Sequence, residues 1–410
     1  MAFAAPQAFR PADLARIPAV SAALEWIASH ADWITGRQID LTEIPAPPFG
    51  EARRARALRQ LFASAGWKPR IDREGNVVAE SPASGDGGLV LVSAHLDTAL
   101  VPSGPIRVRR KRSRLLAPGI TDNGAGLAAL LALATAFRAA TLKTRRGVLF
   151  AGNVGEEGEG NLRGMRALVA DYGRRLASAI VIDGAAIGRI VTTAVASRRI
   201  EAVVTGPGGH SWADAGAPNA IHALGRAMAR MVTVPVPADP PSALNINVIE
   251  GGTAVNAIPS RASIKIDLRS ESEDVLDHLE AEVRRAIELG VLAEREWARR
   301  SAPAFGFEYR LLGARPAGSL PAGSPLLDAI REVDSYLGIR AECLAASTDA
   351  NIPLAAGIPA VTVGGGGAGG GLTPSRSGTI PPAARWASSA FSSRFCSLPA
   401  SRLDSAPRFG

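Results

Sequence analysis

At 410 residues the chain is long enough for two domains, each with its own core. Hydrophobic residues make up 47% and charged residues 20%, as in globular proteins, and no apolar run reaches the ~18 to 20 residues needed to span a bilayer. The net charge of +8 is carried mostly by Arg scattered along the chain, and aromatics at 5% offer few stacking platforms, which argues against nucleic-acid binding. The two cysteines, Cys343 and Cys396, exclude a disulfide framework. The N-terminus lacks the basic-then-apolar order of a secretory signal, so a cytoplasmic location is expected.

Residues 20 to 65 carry helical periodicity, broken at Pro45-Ala46-Pro47-Pro48-Phe49-Gly50. After the turn cluster Asp72 to Asn76, short β-branched runs alternate with helical stretches. Buried strands are predicted at Leu89 to Ala94, Val148 to Asn153 and Ala179 to Asp183, and an apolar helix at Gly126 to Ala139. That alternation predicts an α/β domain with a largely parallel sheet. The pattern then changes: strand Ile200 to Thr205, helix Asn219 to Met231, strands Leu244 to Glu250 and Ser263 to Arg269, helix Val275 to Leu289. This order describes an α+β module. A helix at Ser324 to Leu337 and a strand at Ile358 to Gly364 resume the first pattern, so the module reads as an insertion. The expected division is a catalytic domain over 1–196 and 315–371, an inserted domain over 197–314, and a disordered Ser/Pro/Arg-rich tail over 372–410.

The chemistry gathers at predicted strand ends, where open α/β sheets place their sites. His95 and Asp97 share one face after the first strand, as a metal ligand with a supporting acid or as a structural His with a turn-forming Asp. Asp122 precedes the Ala/Leu-rich helix, either as its cap or as a carboxylate shared by two metal ions. Such ions lie ~3.5 to 4 Å apart, so one bidentate acid must span them. Glu156 and Glu157, between Gly155 and Gly158, suit different tasks, one holding a metal and one moving a proton; a solvated acidic loop is the alternative. Asp183 before Gly184 is the fourth candidate position at that sheet end.

His95-Leu96-Asp97, Thr121-Asp122-Asn123, Gly155-Glu156-Glu157-Gly158 and Ile182-Asp183-Gly184 together resemble the motifs of the M20 family of zinc aminoacylases and peptidases. The resemblance extends to Gly208-Gly209-His210-Ser211, to Gly251 through Pro259 and to Ser347-Thr348-Asp349-Ala350-Asn351, covering about residues 20 to 371. It implies a catalytic α/β domain interrupted by a ferredoxin-like lid that often mediates dimerisation. It implies two divalent ions, zinc with cobalt or manganese as alternatives. His95 and Asp183 would hold one ion, Glu157 the other, and Asp122 both. Glu156 would be general base and acid, with Asp97 orienting His95. His210 would support the oxyanion in a neighbouring subunit's site, and Asn256 and Arg269 would contact substrate. The substrate would be a small peptide or an N-acyl amino acid, and a non-catalytic peptide-binding or dimerisation protein is the rival from another class.

The family pattern also calls for a His after the glycine run, within Gly-x-Ala-His-Thr-x-x-Glu-Trp, to complete the ion held by Glu157. Here the chain reads Gly371-Leu372-Thr373-Pro374-Ser375-Arg376-Ser377-Gly378-Thr379-Ile380, and no His follows His278. Asp122 and Glu157 alone fall short of the three protein ligands usual for a catalytic ion. Read one base earlier, the codons of this stretch permit Ala-His-Thr-x-x-Glu-Trp-Tyr-Asp-Pro, with Leu372-Thr373 spanning CAC. The expectation is a base lost in the G-rich glycine codons, an out-of-frame tail from about Leu372, and impaired activity.

Overall fold

The computed structural model describes residues 10–370, apart from 86, 100, 301 and 303, together with the backbone of 378–380. Two compact units emerge, Met1–Thr193 with Ser319–Gly410, and Ala194–Gly318.

The first unit is α/β. Three strands, Leu89–His95, Gly147–Asn153 and Leu176–Ile182, run parallel, and Ala360–Val363 joins Leu176–Ile182 in the same sense. Val77–Ser81 and Arg189–Ala194 add antiparallel neighbours. The central strands are buried along almost their whole length, as their unbroken apolar runs predict. The helix Gly124–Ala139 is buried on nearly every side because it lies between layers. Its outer face packs on Ala23, Ile27 and Ile34 of the N-terminal helices, and its end meets the aromatic group Trp67, Phe137 and Phe150.

The second unit is α+β. Four antiparallel strands lie in the order Ser242–Gly251, Arg261–Ser270, Ala196–Thr205, Gly306–Arg315. The amphipathic helices Ala220–Met231 and Glu273–Trp297 pack on this sheet and share one core with it, including Leu224, Ile264, Leu279 and Phe305. The fourth strand, Gly306–Arg315, is absent from the sequence reading. Its burial alternates weakly, so the period-2 signal is faint.

Of the predicted disordered tail, only 378–380 lies among the described residues. There the expectation fails, because the backbone forms a short strand between Ala368–Gly370 and Leu115–Leu116. The remainder of the tail, 372–377 and 381–410, lies outside the described residues.

Candidate metal centre

Three parallel strands end together, and their carboxyl ends carry the candidate residues. His95 closes its strand, Asp183 follows Ile182, and Glu156 and Glu157 follow Asn153 after one turn. Backbone bonds fix the edge: Leu96 N–H donates to the Asn153 carbonyl at 2.6 Å, and Asp183 N–H to the Val363 carbonyl at 3.0 Å.

The helix cap that Asp122 could have supplied is provided by its neighbour. Asn123 Oδ1 accepts the Gly126 N–H at 3.1 Å, and Asn123 Nδ2 donates to the Ile182 carbonyl at 2.9 Å. Asp122 is thereby released from capping. Gly126 must be glycine here, because a Cβ would fall 2.1 Å from Asn123 Oδ1 and 2.7 Å from the Ile182 carbonyl. Gly155, at φ +67°, lets the chain turn from its strand into the two glutamates with Arg163 packed against it.

His95 is fully buried. Its Nδ1 lies 3.1 Å from the Asp97 carbonyl, an arrangement that holds the proton on Nδ1 and leaves the Nε2 lone pair free. Nε2 is 2.9 Å from Asp122 Oδ1 and 3.5 Å from Asp183 Oδ1. The 2.9 Å contact is not aligned as a hydrogen bond, and both His95 Nε2 and Asp122 Oδ1 are buried without a hydrogen-bond partner. Ligand atoms of His95, Asp122 and Asp183 lie within 4.8 Å of one another, as do those of His95, Glu156 and Glu157.

The electrostatics point the same way. Burial alone would lower the His95 pKa, yet Asp122, Asp183 and Asp97 together hold it well above the ordinary range. Burial would raise Asp97, but His95 and the amides of Glu157 and Glu156 keep it below. Glu157 is pushed up to about 8, by burial first and then by the charges of Asp122 and Glu156. Crowded carboxylates, one imidazole and orphaned buried donor atoms fit a divalent cation of the zinc, cobalt or manganese kind.

Two further residues of this end escaped the sequence reading of roles. Asp349 is fully buried, and its Oδ2 accepts Asn153 Nδ2 at 2.6 Å. Its carboxyl is pushed up to about 8 by burial and by Glu156. Its presence in Ser347 to Asn351 was the available signal. Arg54 is 1% exposed. It donates to the carbonyls of Ile44 and Leu96 at 2.6 Å each and to Thr98 Oγ1 at 3.0 Å. It sits in the basic run 52–59, where nothing in the sequence separates it from exposed arginines.

The remaining candidates belong to the second unit. His210 and Asn256 come together there: Gly209–His210 pairs with Ala257–Ile258, and Ser211 N–H donates to the Asn256 carbonyl at 2.9 Å. His210 is exposed, and its Nδ1 accepts the N–H groups of Trp212 at 3.2 Å and Ala213 at 3.3 Å, so the neutral ring carries its proton on Nε2. Arg269 is half-exposed and donates from Nε to Asp267 Oδ2 at 2.7 Å, which occupies one edge of the guanidinium fork expected to meet a carboxylate.

A family profile for the peptidase dimerisation domain matches residues 194–291, and one for peptidase family M28 matches residues 76–232. A protein described as a LysW-lysine/LysW-ornithine hydrolase from Pyrococcus abyssi is 36% identical over 129 residues. That match spans 32% of this chain and 34% of the relative's length. Human carnosine dipeptidase 1 superposes with a TM-score of 0.73 at 13% identity, covering 92% of this chain and 99% of its own. A tripeptidase from Staphylococcus aureus gives 0.71 at 18% identity, covering 90% and 97%. A dinuclear metal-binding peptidase of the M20 family from Bacillus subtilis gives 0.62 at 17%, covering 90% and 98%. Together with the fold shared with these enzymes, the matches support an M20-type metallohydrolase.

Proposed function

We propose that the chain is a hydrolase of the peptide or amide bond of a small peptide, built for two divalent ions and a glutamate base, with the second ion's ligand set incomplete in this sequence. The observation that carries the proposal is the convergence of His95, Asp122, Asp183, Glu156 and Glu157 in two overlapping clusters, with His95 Nε2 and Asp122 Oδ1 buried and unpartnered. His95, Asp122 and Asp183 would hold one ion, and Asp122 and Glu157 the other. Bound there, the ions would supply Lewis acidity and lower the pKa of water.

The protein's own residues would do the rest. Glu156, 6% exposed beside the cluster, takes the proton of the attacking water and returns it to the leaving nitrogen. Asp97 orients His95 and fixes the glutamate loop. His210, with its Nε2–H directed away from the loop bonds that occupy Nδ1, has the tautomer that stabilises an oxyanion. Asn256 and Arg269 contact the substrate, and the dimerisation module pairs two copies.

No His follows His278 to join Asp122 and Glu157 as the family pattern requires, so turnover is impaired. The test assays dipeptides, tripeptides and N-acyl amino acids with added zinc, cobalt or manganese, alongside a variant whose tail follows the shifted frame. Peptide cleavage that rises in the restored-frame variant supports the proposal. A preference for N-acyl amino acids turns the reading toward a deacylase, and inactivity of both forms on every substrate refutes it.

A further inference from the structure

Residues 107–114 carry six cationic side chains, Arg107, Arg109, Arg110, Lys111, Arg112 and Arg114, all exposed. The scatter of basic residues expected from the whole sequence fails here, because Arg109–Lys111 folds back on Arg114–Leu116 as a hairpin and concentrates the charge. Arg107 has Glu43 Oε2 at 3.6 Å, whereas the other five form no ion pair among the described residues. The register sets Lys111 directly opposite Arg114, a like-charge pair that destabilises a hairpin. Arg112 occupies a left-handed turn position, φ +54°, that Asn or Gly adopts more readily. Hairpin stability therefore does not explain this charge.

The hairpin is rooted in the metal centre. Beneath it, Leu115 packs with Ile106, Ala117 and Ile120, and Gln38 Nε2 holds the Ile120 carbonyl at 2.8 Å. The excursion leaves the site after Asp97 and returns at Asp122. Its two roots touch, since a Cβ on Gly119 would lie 2.6 Å from the Thr98 methyl. Arg114 and Asp122 are eight positions apart, which bounds their separation at ~27 Å. An extended peptide of comparable length bridges that span.

We propose that the 107–114 hairpin docks an acidic polypeptide segment that carries the scissile amide into the site. Docking stands on the hairpin itself, and cleavage rests on the hydrolase function proposed above. Residues 105–118 contain no aromatic side chain on which nucleic-acid bases could stack, which favours a polypeptide as the anion. Its charge would be felt over about 8 Å at physiological salt.

The experiment measures fluorescence anisotropy of labelled octaglutamate and octaserine with the full chain. Beside it stand the hairpin variant Arg109→Ser/Arg110→Ser/Arg112→Asn and a control, Arg59→Ser/Arg174→Ser/Arg285→Ser, which removes the same charge from exposed positions elsewhere. The hairpin variant is expected to weaken octaglutamate binding roughly tenfold or more, the control less than about twofold, with unchanged melting temperatures. Equal losses in both variants, equal binding of octaserine, or tighter binding of a single-stranded oligonucleotide of the same charge overturns the proposal. A second readout compares kcat/KM for a free dipeptide and for the same dipeptide joined to octaglutamate. The hairpin variant should lower only the second. Binding without hydrolysis of either substrate, both in this chain and in the variant whose tail follows the shifted frame, overturns the hydrolase reading and upholds docking; hydrolysis of both at wild-type rates in the hairpin variant overturns docking and upholds the hydrolase reading.

Discussion

Asp97 Oδ2 accepts the backbone N–H of Glu157 at 2.7 Å, while its Oδ1 accepts that of Glu156 at 3.0 Å and lies 3.5 Å from His95 Nδ1. One buried carboxylate thus ties the His95 imidazole to the loop that carries both glutamates. Orienting His95, the role implied by resemblance, is only part of what this geometry does. A carboxylate is needed because the amides and the imidazole all present donors.

Asp97→Asn replaces one acceptor oxygen with a donor and leaves a buried donor without a partner. Metal affinity is expected to fall about 10- to 100-fold, as for partners that orient metal ligands. The unpaired group should cost about 1–3 kcal/mol of stability. Calorimetric metal titration together with denaturant unfolding checks both, and unchanged affinity would count against the clamp.

Arg54→Met removes a buried guanidinium that holds the Leu96 carbonyl between His95 and Asp97. Burial lowers its pKa to about 10, and the charges of Asp97 and Glu51 partly offset this, so it remains protonated at neutral pH. The variant strands the carbonyls of Ile44 and Leu96, and a loss of about 2–4 kcal/mol is expected. Arg54→Lys should recover little, because one ammonium cannot reproduce the planar fork. Urea midpoints of both variants test this, and full rescue by Lys would contradict it.

The metal-free protein should lose stability as pH rises. Glu157 and Asp349 are both pushed up to about 8 in the fold, far above their unfolded values near ~4, so the native state binds more protons between those limits. Stability is therefore fully present at about pH 4 and declines toward pH 8. Melting temperatures of chelator-treated protein across this window measure it. Asp349→Asn should flatten the decline, and a midpoint that rises steadily with pH would refute the assignment.

Metal counting separates the chain as written from a restored-frame tail. One ion per chain is expected for the former, held by His95, Asp122 and Asp183, and two for the latter. Elemental analysis after dialysis decides this, and two ions in the chain as written would remove the case for a missing ligand.

Much of this architecture was legible in sequence because its signals are local. The buried strands read from unbroken apolar runs at Leu89 to Ala94 and Val148 to Asn153 are found as Leu89–His95 and Gly147–Asn153, and the helices read at Asn219 to Met231 and Val275 to Leu289 as Ala220–Met231 and Glu273–Trp297, the last extending well past its predicted end. The short strands Arg109–Lys111 and Gly318–Ser319 carry too few residues for any period to show.

Residue type, neighbouring glycines and chain order are enough to name His95, Asp122, Glu156, Glu157 and Asp183 as candidates at one end of the sheet. How those residues act on one another follows from the fold. It made Asn123 the helix cap and so released Asp122, joined Asp97 to the glutamate amides, and buried Arg54 and Asp349 beside them. Apart from the local Asn123–Gly126 cap, these contacts join residues tens to hundreds of positions apart, and burial changes their energies as much as their distances do. A carboxyl that is ordinary in an extended chain becomes a reluctant acid near pH 8 when the fold removes its water and sets other carboxylates beside it.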